Sequence, residues 1–363
     1  ASLVYNWESE AARFTPDLKT VVVAGNTALR EKIMEDALQA DLVITSYDLL
    51  KRDVDTYKTQ SFGCVVIDEA QYIKNAGTQA ARSVKANDAP LHFALTGTPI
   101  ENRLSDLWSI FDFIMPGYLY TYQKFKKEFE HPVVTEGDET VTLRLRHMVS
   151  PFILRRRKQD VLKDLPDKLE KTIYTTMTPQ QENVYRAWAS HLMQELSGTS
   201  EKDFMQEQIK ILAELTRLRQ ICCAPDLCLE DYSGGSGKMD ACMELIDNAI
   251  SGGHRILVFS QFTQMLEKLI DAYKDRGSYL YLSGKSTKEQ RRQMVDQFQK
   301  GDVPVFFISL KAGGTGLNLT AADVVIHYDP WWNVAAQNQA TDRTHRIGQK
   351  NVVTVLKLVA KNT

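Results

Sequence analysis

The sequence predicts an α/β protein with two parallel-sheet lobes and an inserted helical region between them. Short apolar segments alternate with helical stretches within residues 20–115 and again within residues 240–360. Segments that are apolar at every position and are separated by helices are typical of buried parallel strands. Residues 178–221 instead carry apolar side chains at helical spacing, with no strand signal.

Each predicted strand coincides with one apolar segment. The first lobe has four of them, at residues 20–24, 42–45, 64–67 and 92–95. The second lobe has five, at residues 256–259, 279–282, 305–308, 324–327 and 353–356. The sequence therefore supplies strands for two separate sheets.

Changes in composition set the boundaries between these parts. A basic run at residues 155–158 precedes the helical stretch, and residues 233–237 follow it with a flexible composition suited to a hinge. We predict a first lobe at 1–150 with a helical insertion near 117–147, a basic linker and helical protrusion at 151–232, and a second lobe at 233–363.

Composition and charge exclude several classes of protein. The 44 Lys and Arg residues nearly balance the 46 Asp and Glu residues, which excludes a uniformly basic nucleic-acid coat and an acidic disordered tail. No apolar run reaches the ~18 residues of a membrane span. Five Cys residues, an odd number, favour a reducing compartment, and we therefore expect an intracellular protein.

Two adjacent carboxylates follow the third predicted strand. Asp68 and Glu69 begin the sequence Asp-Glu-Ala-Gln directly after the apolar segment 64–67. Open α/β sheets bind ligands at the carboxyl ends of their strands. One carboxylate can hold Mg²⁺ on the phosphates of a nucleotide while the next orients or deprotonates water. A solvated Asp-Glu pair at a strand end explains the two residues equally well when they are taken alone.

Two further loops place small residues after strands. Thr96, Gly97 and Thr98 can relay hydrogen bonds to a neighbouring site, although an ordinary turn closed by proline is the simpler interpretation. Residues 309–318 contain Lys311 and three glycines, so their backbone amides can face phosphate oxygens. A glycine-rich turn without function is the alternative.

The most informative segment is residues 339–349. On a helix, Gln339, Arg343 and Arg346 share one face at spacings i, i+4 and i+7, and Gly348 can end that helix. Two guanidinium groups projecting together suit the charge that develops during phosphoryl transfer. A solvated basic face explains the two arginines but not Gln339.

Two patterns that suggest other sites fail on their spacing. The sequence contains no Walker phosphate loop, G-x-x-x-x-G-K-[ST]: Gly284, Lys285 and Ser286 follow a leading position occupied by Tyr279, inside a predicted strand. The cysteines at 222, 223, 228 and 242 lack the C-x₂-C spacing of a zinc site, and we interpret them as buried thiols.

Taken in chain order, these motifs resemble those of the Swi/Snf family of DNA translocases, within the superfamily-two helicases. The resemblance covers nearly the whole chain. Residues 68–71 match motif II, 95–99 match motif III, 309–320 match motif V and 339–349 match motif VI. Further segments similar to the family lie at 3–7, 44–47, 151–156, 218–223, 258–262 and 282–287.

The resemblance implies two RecA-like lobes and an ATPase that uses ATP and Mg²⁺. Asp68 would hold the ion, Glu69 would activate the attacking water, and Arg343 and Arg346 would be arginine fingers reaching across the cleft. The resemblance also implies nucleotide binding by Gly314 and Gly316. Four residues would couple nucleotide state to movement: Thr96, Gly97, Thr98 and Gln339. Six residues would follow the DNA backbone: Thr45, Ser260, Gln261, Lys311, Thr315 and Trp331.

We therefore predict the motor core of an ATP-dependent double-stranded DNA translocase, with hydrolysis coupled to lobe closure. We expect the phosphate loop to lie upstream of Ala1, and we expect a monomeric motor that binds no membrane. The bacterial cytoplasm or nucleoid is the favoured location, or the nucleus if the source is eukaryotic. The alternatives are a catalytically inactive module that binds DNA or a partner, and a related RNA helicase.

Overall fold

The chain folds into two compact α/β units, unit 1 (Ala1–Val161) and unit 2 (Leu162–Thr363). The computed structural model describes residues 2–37, 39–97, 103–156, 158–162, 164–197, 201–301, 303–313 and 317–363. Every strand pairing in these residues is parallel, which confirms the predicted fold class. Residues 162–232 belong to unit 2 in this division.

Several helices begin at a small polar residue whose side chain accepts a backbone N–H of the first turn, such as Ser46, Thr78, Asp138 and Thr287. Unit 1 contains α1 (Ser2–Phe14), α2 (Thr27–Ala37), α3 (Tyr47–Arg52), α4 (Val54–Lys58), α5 (Gln79–Lys85), α6 (Leu104–Ile114), α7 (Tyr122–Phe125), α8 (Glu139–Val149) and α9 (Lys158–Val161). Unit 2 contains α10 (Pro179–Ser197), α11 (Glu201–Cys223), α12 (Gly237–Ser251), α13 (Thr263–Tyr273), α14 (Lys288–Lys300), α15 (Leu310–Gly313) and α16 (Val334–Thr341).

The strands of unit 1 form two separate parallel pairs. They are β1 (Thr20–Val22) with β2 (Leu42–Ile44), and β3 (Cys64–Ile67) with β4 (Leu91–Ala94). A 3₁₀ turn (Ala70–Ile73) follows β3 after two residues. The loops after β3 and β4 therefore leave the same edge of one sheet, side by side.

One face of the β3–β4 pair is exposed, so the prediction that these strands are buried on both faces is wrong. Val66 and Phe93 are 55% and 54% exposed, whereas Ile67 is buried. Helix α6 and the 3₁₀ turn pack against one face, where Ile67 joins a core with Ile73 and Phe113. Because successive side chains of a strand point to opposite faces, the other set faces solvent in the described structure.

Residues between α6 and α9 add a helical subdomain to unit 1. Besides α7 and α8, the segment contains π-helical turns at Lys126–Glu130 and Pro132–Glu136 and a 3₁₀ turn at Ser150–Phe152. Phe125, Phe129 and Leu145 pack against Phe111 of α6 in a separate apolar core.

Unit 2 contains a six-stranded parallel sheet in the order β5-β10-β9-β6-β8-β7. Its strands are β5 (Lys168–Thr175), β6 (Ile256–Ser260), β7 (Tyr279–Leu282), β8 (Val305–Ser309), β9 (Val324–His327) and β10 (Val353–Ala360). Every residue of β6, β8 and β9 is buried, as the apolar segments predict. Apolar cores lie on both faces, with Val258 and Phe307 on one side and Phe259 and Phe306 on the other.

Strand β5 is the one strand of this sheet that the sequence analysis does not predict. In the part of the chain that the structure describes, it lies at the edge of the sheet and pairs with β10 alone, from Lys168 opposite Val353 to Thr175 opposite Ala360. Four consecutive residues of this strand, Leu169 to Thr172, are exposed. An edge strand of this kind needs no continuous apolar run, so it lacks the signal by which buried strands are recognised. Within the described residues, no helix has the length and apolar character needed to cross a bilayer.

Candidate functional site

The first candidate site lies where β3 and β4 end. Asp68 and Glu69 follow β3 directly, and Glu69 adopts φ 52° and ψ 53°, in the left-handed region. This conformation costs a non-glycine residue on the order of 1 kcal/mol. The turn is held by the N–H of Ala70, which donates to the carbonyl of Leu95 at 2.9 Å. Strained backbone that is held by its surroundings is common at functional sites.

Both carboxylate oxygens of Asp68 accept hydrogen bonds. The indole N–H of Trp7 donates to Oδ2 at 3.0 Å, and the backbone N–H of Glu69 donates to Oδ1 at 2.8 Å. The Tyr47 hydroxyl donates to the Asp68 carbonyl at 2.8 Å, and its ring stacks on Tyr72 at 5.4 Å. Burial and the nearby carboxylates raise the pKa of Tyr47, so its hydroxyl stays protonated as a donor. Neither Trp7 nor Tyr47 is among the predicted site residues.

A chain of side-chain hydrogen bonds links Glu69 to the loop after β4. The Nε2 of Gln71 donates to Oε2 of Glu69 at 2.5 Å, and Oγ1 of Thr96 donates to Oε1 of Gln71 at 3.0 Å. Gln71 is therefore the residue that joins the two loops, although the sequence analysis does not select it. Gly97 is exposed next to this chain, and Thr98 lies outside the described residues.

Asp68 has the donor set expected for a nucleotide-bound Mg²⁺. This ion usually binds one or two carboxylates and completes its octahedral shell with waters and phosphate oxygens. Among the residues that the structure describes, each Asp68 oxygen accepts one hydrogen bond, which leaves a second lone pair for a ligand. The half-buried position of Asp68 at the sheet edge leaves it open to solvent on one side.

The second candidate site lies in unit 2, at and after α16, and here the predicted helix is wrong. Helix α16 ends at Thr341, and residues 342–348 form turns and bends, so Gln339 lies on the helix while Arg343 and Arg346 follow it. Gly348 has φ 103° within these turns and does not end the helix.

Side chains of the segment itself stabilise these turns. The Thr344 hydroxyl donates to the Thr341 carbonyl at 2.7 Å. The Nε2 of Gln349 donates to the carbonyls of Thr320, Ala322 and Thr344 at 3.0, 2.8 and 3.2 Å. These side-chain donors satisfy backbone carbonyls that would otherwise need the N–H groups of a further helical turn. Such competition between side-chain and helical hydrogen bonds cannot be recognised from residue spacing.

The two arginines differ in their exposure. Arg343 is 3% exposed, and its carbonyl accepts the N–H of Leu319 at 3.0 Å. Arg346 is half-buried, and in the part of the chain that the structure describes its guanidinium makes no hydrogen bond or ion pair. Of the two arginines, Arg346 is thus the more accessible to solvent.

A buried histidine connects β9 to α16. The Nε2 of His327 lies 2.8 Å from Oγ1 of Thr341, and its ring stacks on Phe259 with centroids 5.5 Å apart. Burial lowers the pKa of His327 from 6.5 to about 3, and the positive charge of Lys357 acts in the same direction. The folded chain therefore holds this imidazole in its neutral form.

We expect acid to destabilise the fold through His327. The unfolded chain takes up a proton near pH 6.5 and the folded chain does not, so stability is present above pH 6.5 and is lost as the pH falls toward 3. At about 1.4 kcal/mol per pH unit for one proton, the free energy of unfolding should fall by roughly 2 kcal/mol between pH 6.5 and pH 5.

Urea unfolding of the parent and of His327→Gln at both pH values measures this loss. Because other titrating groups are common to both proteins, the difference between the two pH dependences isolates His327. Equal losses in the two proteins would show that His327 does not cause the effect.

The residues predicted to follow a DNA backbone have different environments. Ser260 is 2% exposed, and its Oγ accepts the N–H of Phe262 at 3.1 Å. The backbone N–H of Gln261 donates to the Asp329 carboxylate, 3.1 Å from Oδ2 and 3.3 Å from Oδ1. Lys311 is exposed on α15.

Two more of these residues are described, and the glycine-rich loop is not. The Thr45 hydroxyl, in unit 1, donates to the Val23 carbonyl at 3.2 Å. Trp331 is half-buried and stacks on Trp332, with ring centroids 6.1 Å apart. The predicted residues Gly314, Thr315 and Gly316 lie outside the described residues.

The cysteines of unit 2 are free thiols. Cys223 and Cys242 are buried, and burial raises the pKa of Cys222 to about 11 and that of Cys242 to about 12. Among the residues that the structure describes, no three His, Cys, Asp or Glu side chains are grouped to hold a metal ion.

Comparisons with known proteins match both parts of the chain. The SNF2-related domain matches residues 1–227, and the helicase conserved C-terminal domain matches residues 237–348. An uncharacterized ATP-dependent helicase of Mycoplasma pneumoniae is 40% identical over 368 residues, and the putative ATP-dependent helicase/translocase YwqA of Bacillus subtilis is 37% identical over 374 residues. Both matches cover 100% of this chain, which spans 34% and 40% of the lengths of those relatives.

A solved structure also matches the chain. The Sulfolobus solfataricus SWI2/SNF2 ATPase core in complex with dsDNA is 37% identical, with a TM-score of 0.48. The match covers 100% of this chain and 76% of the solved chain. The SNF2-related domain alone accounts for more than half of the 363 residues. The chain therefore belongs to the SNF2-related family, with a helicase C-terminal domain following the SNF2-related domain.

Proposed function

We propose that this chain is the motor region of an ATP-dependent double-stranded DNA translocase. The observation that carries the proposal is the connected site at the ends of β3 and β4, in which Asp68, Glu69, Gln71 and Thr96 are joined by hydrogen bonds. The relatives, which are named ATP-dependent helicases, support ATP as the nucleotide. The activity of the whole protein is part of the proposal, because the chain spans only 34% and 40% of those relatives.

In this proposal, Asp68 binds Mg²⁺ on the phosphates of ATP. The ion, when bound, neutralises charge on the transferring phosphoryl group. The Trp7 indole and the Glu69 amide fix the rotation of the Asp68 carboxylate and so set the directions of its remaining lone pairs. Loss of the Trp7 contact would let this carboxylate rotate.

Glu69 would orient and deprotonate the attacking water. General base catalysis requires a carboxylate held within hydrogen-bond reach of its substrate. The left-handed backbone of Glu69 and the bond from Gln71 set the direction of its side chain. Thr96, at the other end of the Gln71 amide, would sense the state of Glu69 and transmit it to the loop after β4.

Positive charge for the transition state would come from unit 2. Arg346 is the better candidate for direct contact with phosphate because it is only half-buried, whereas Arg343 is buried and contacts its own unit. Gln339 on α16 would couple nucleotide binding to movement. ATP binding would close the two units, and hydrolysis would reopen them and advance the duplex.

The nucleic acid would be bound through its backbone rather than its sequence. The predicted contact residues are mostly polar side chains, with one exposed lysine, Lys311. Backbone contacts of this kind weaken as salt rises, because binding releases counterions. We also propose a single-copy motor, with partners still to be identified.

The test is ATP hydrolysis by the full-length protein that carries these residues, with duplex DNA, single-stranded DNA or duplex RNA added. We expect duplex DNA to stimulate hydrolysis most, and the concentration needed for half-maximal stimulation to rise with salt. Stronger stimulation by RNA would favour an RNA helicase. Duplex binding with neither ATP binding nor hydrolysis would identify an inactive DNA-binding module instead.

A further inference from the structure

An arginine of helix α11 lies at the centre of an aromatic cluster in unit 2. The guanidinium carbon of Arg219 is 4.7 Å from the ring centroid of Trp332, 5.3 Å from that of Trp331 and 6.0 Å from that of Phe262. Its Nη2 donates to the Pro330 carbonyl at 2.8 Å. A guanidinium can stack on aromatic rings and donate in its plane at the same time, and an ammonium cannot.

A buried carboxylate lies next to the same guanidinium. Asp329 is 6% exposed, and one of its oxygens is 4.0 Å from Nη2 of Arg219. Burial raises the pKa of Asp329 to about 6, although Ser260, the Gln261 amide, Arg219 and Lys238 all act to lower it. The positive charge of Arg219 therefore compensates a carboxylate that is expensive to bury.

The loop that carries the two tryptophans is held from its other end by α16. The buried side chain of Gln337 accepts the N–H of Trp331 through Oε1 at 3.1 Å. Residues 329–333 are thus fixed between two helices that are more than one hundred residues apart in sequence. Trp332 remains 52% exposed, so one aromatic surface of the stacked pair faces solvent.

We propose that Arg219 is a positioning residue that holds Trp331 and Trp332 in the arrangement that contacts duplex DNA. The inference rests on the proposed function, which supplies the DNA, and it assigns to α11 control over the aromatic contact. Exposed aromatic rings beside a nucleic-acid path contribute affinity by stacking or by packing on the sugar-phosphate backbone. Arg219 itself, half-buried behind the rings, acts through them.

The matched test uses two arginines of the same helix. Arg217 lies two residues away and stacks on a different ring, Trp188, at 5.7 Å. We would compare Arg219→Ala, Arg217→Ala and the parent by near-ultraviolet circular dichroism, in which the stacked pair of tryptophans gives a signal that Trp332→Phe identifies. The second measurement is the duplex DNA concentration for half-maximal ATPase stimulation in the full-length protein.

We expect Arg219→Ala to lose the signal of the tryptophan pair and to need about tenfold more DNA for half-maximal stimulation, with the larger change in this concentration rather than in kcat. Arg217→Ala should retain the signal and the DNA dependence of the parent. A retained signal in Arg219→Ala overturns the positioning role. A lost signal with an unchanged DNA dependence overturns the link to DNA.

Two further outcomes are informative. If DNA does not stimulate the parent, the proposed function fails, and the dichroism still decides whether Arg219 orders the pair. If Arg219→Ala fails to fold, Arg219→Lys keeps a cation near Asp329 but loses the planar stack. In that variant, a lost tryptophan signal with weakened DNA dependence supports the proposal, and parent-like behaviour in both measurements overturns it.

Discussion

Replacing Arg346 with alanine is expected to abolish ATP turnover, with a loss of about 10³- to 10⁵-fold in kcat, the range typical of an arginine that stabilises the charge of phosphoryl transfer. The physical reason is that a guanidinium presents several donors in one plane to the oxygens of the transferring group. Arg346 is half-buried, so its removal leaves no large cavity. The measurement is steady-state ATP hydrolysis at saturating duplex DNA.

The control for folding is Arg343→Ala. Because Arg343 is 3% exposed, this variant should lower the midpoint of urea unfolding, whereas Arg346→Ala should leave that midpoint unchanged. Arg346→Lys keeps the charge without the planar donors and should recover only part of the activity. Hydrolysis by Arg346→Ala at the rate of the parent would remove Arg346 from the mechanism.

The second large effect is expected for Glu69→Gln. Glutamine has the same size and can keep the left-handed turn, but it cannot accept a proton from water, and general base catalysis is typically worth about 10²- to 10⁴-fold. We expect ATP binding to persist while kcat falls by this factor. Binding of a fluorescent ATP analogue, measured beside hydrolysis, separates the two steps.

An exposed glutamate of α2, Glu35, provides the matched control. Glu35→Gln makes the same chemical change outside the turn after β3 and should hydrolyse ATP like the parent. If Glu69→Gln also turned over at the parent rate, another group would have to activate the water. If it lost ATP binding as well, Glu69 would act in nucleotide binding rather than in proton transfer.

Apolar runs predict where five strands of unit 2 start, but β10 continues to Ala360, beyond its predicted end at 356. The prediction starts β6, β7, β8, β9 and β10 at the residues where the structure starts them. Strands β6, β8 and β9 are buried at every residue, and this burial on both faces produces a continuous apolar segment in the sequence. Strand β5 and the exposed face of β3–β4 were not predicted, because a partly exposed strand depends on neighbours that are distant in sequence.

In the candidate site, the charged residues could be predicted from the sequence, but the residues that position them through hydrogen bonds could not. Asp68 and Glu69 follow a strand and are recognisable locally. Trp7 lies 61 residues from Asp68, and Arg219 lies 111 residues from Pro330, so spacing carries no sign of either contact. Gln71 could have been predicted, because it is the last residue of the Asp-Glu-Ala-Gln motif. Its amide has both a donor and an acceptor and can therefore bridge a carboxylate and a hydroxyl.

The pairing of β5 with β10 cannot form until the ribosome has synthesised the last strand of unit 2. β5 comes first among the strands of unit 2 and β10 comes last, yet they are neighbours over all eight residues of each. β5 therefore remains unpaired while about 180 further residues are synthesised, and strands that are so far apart in sequence pair slowly. During that interval its exposed N–H and C=O groups can pair with another chain, so cotranslational aggregation should begin at this edge.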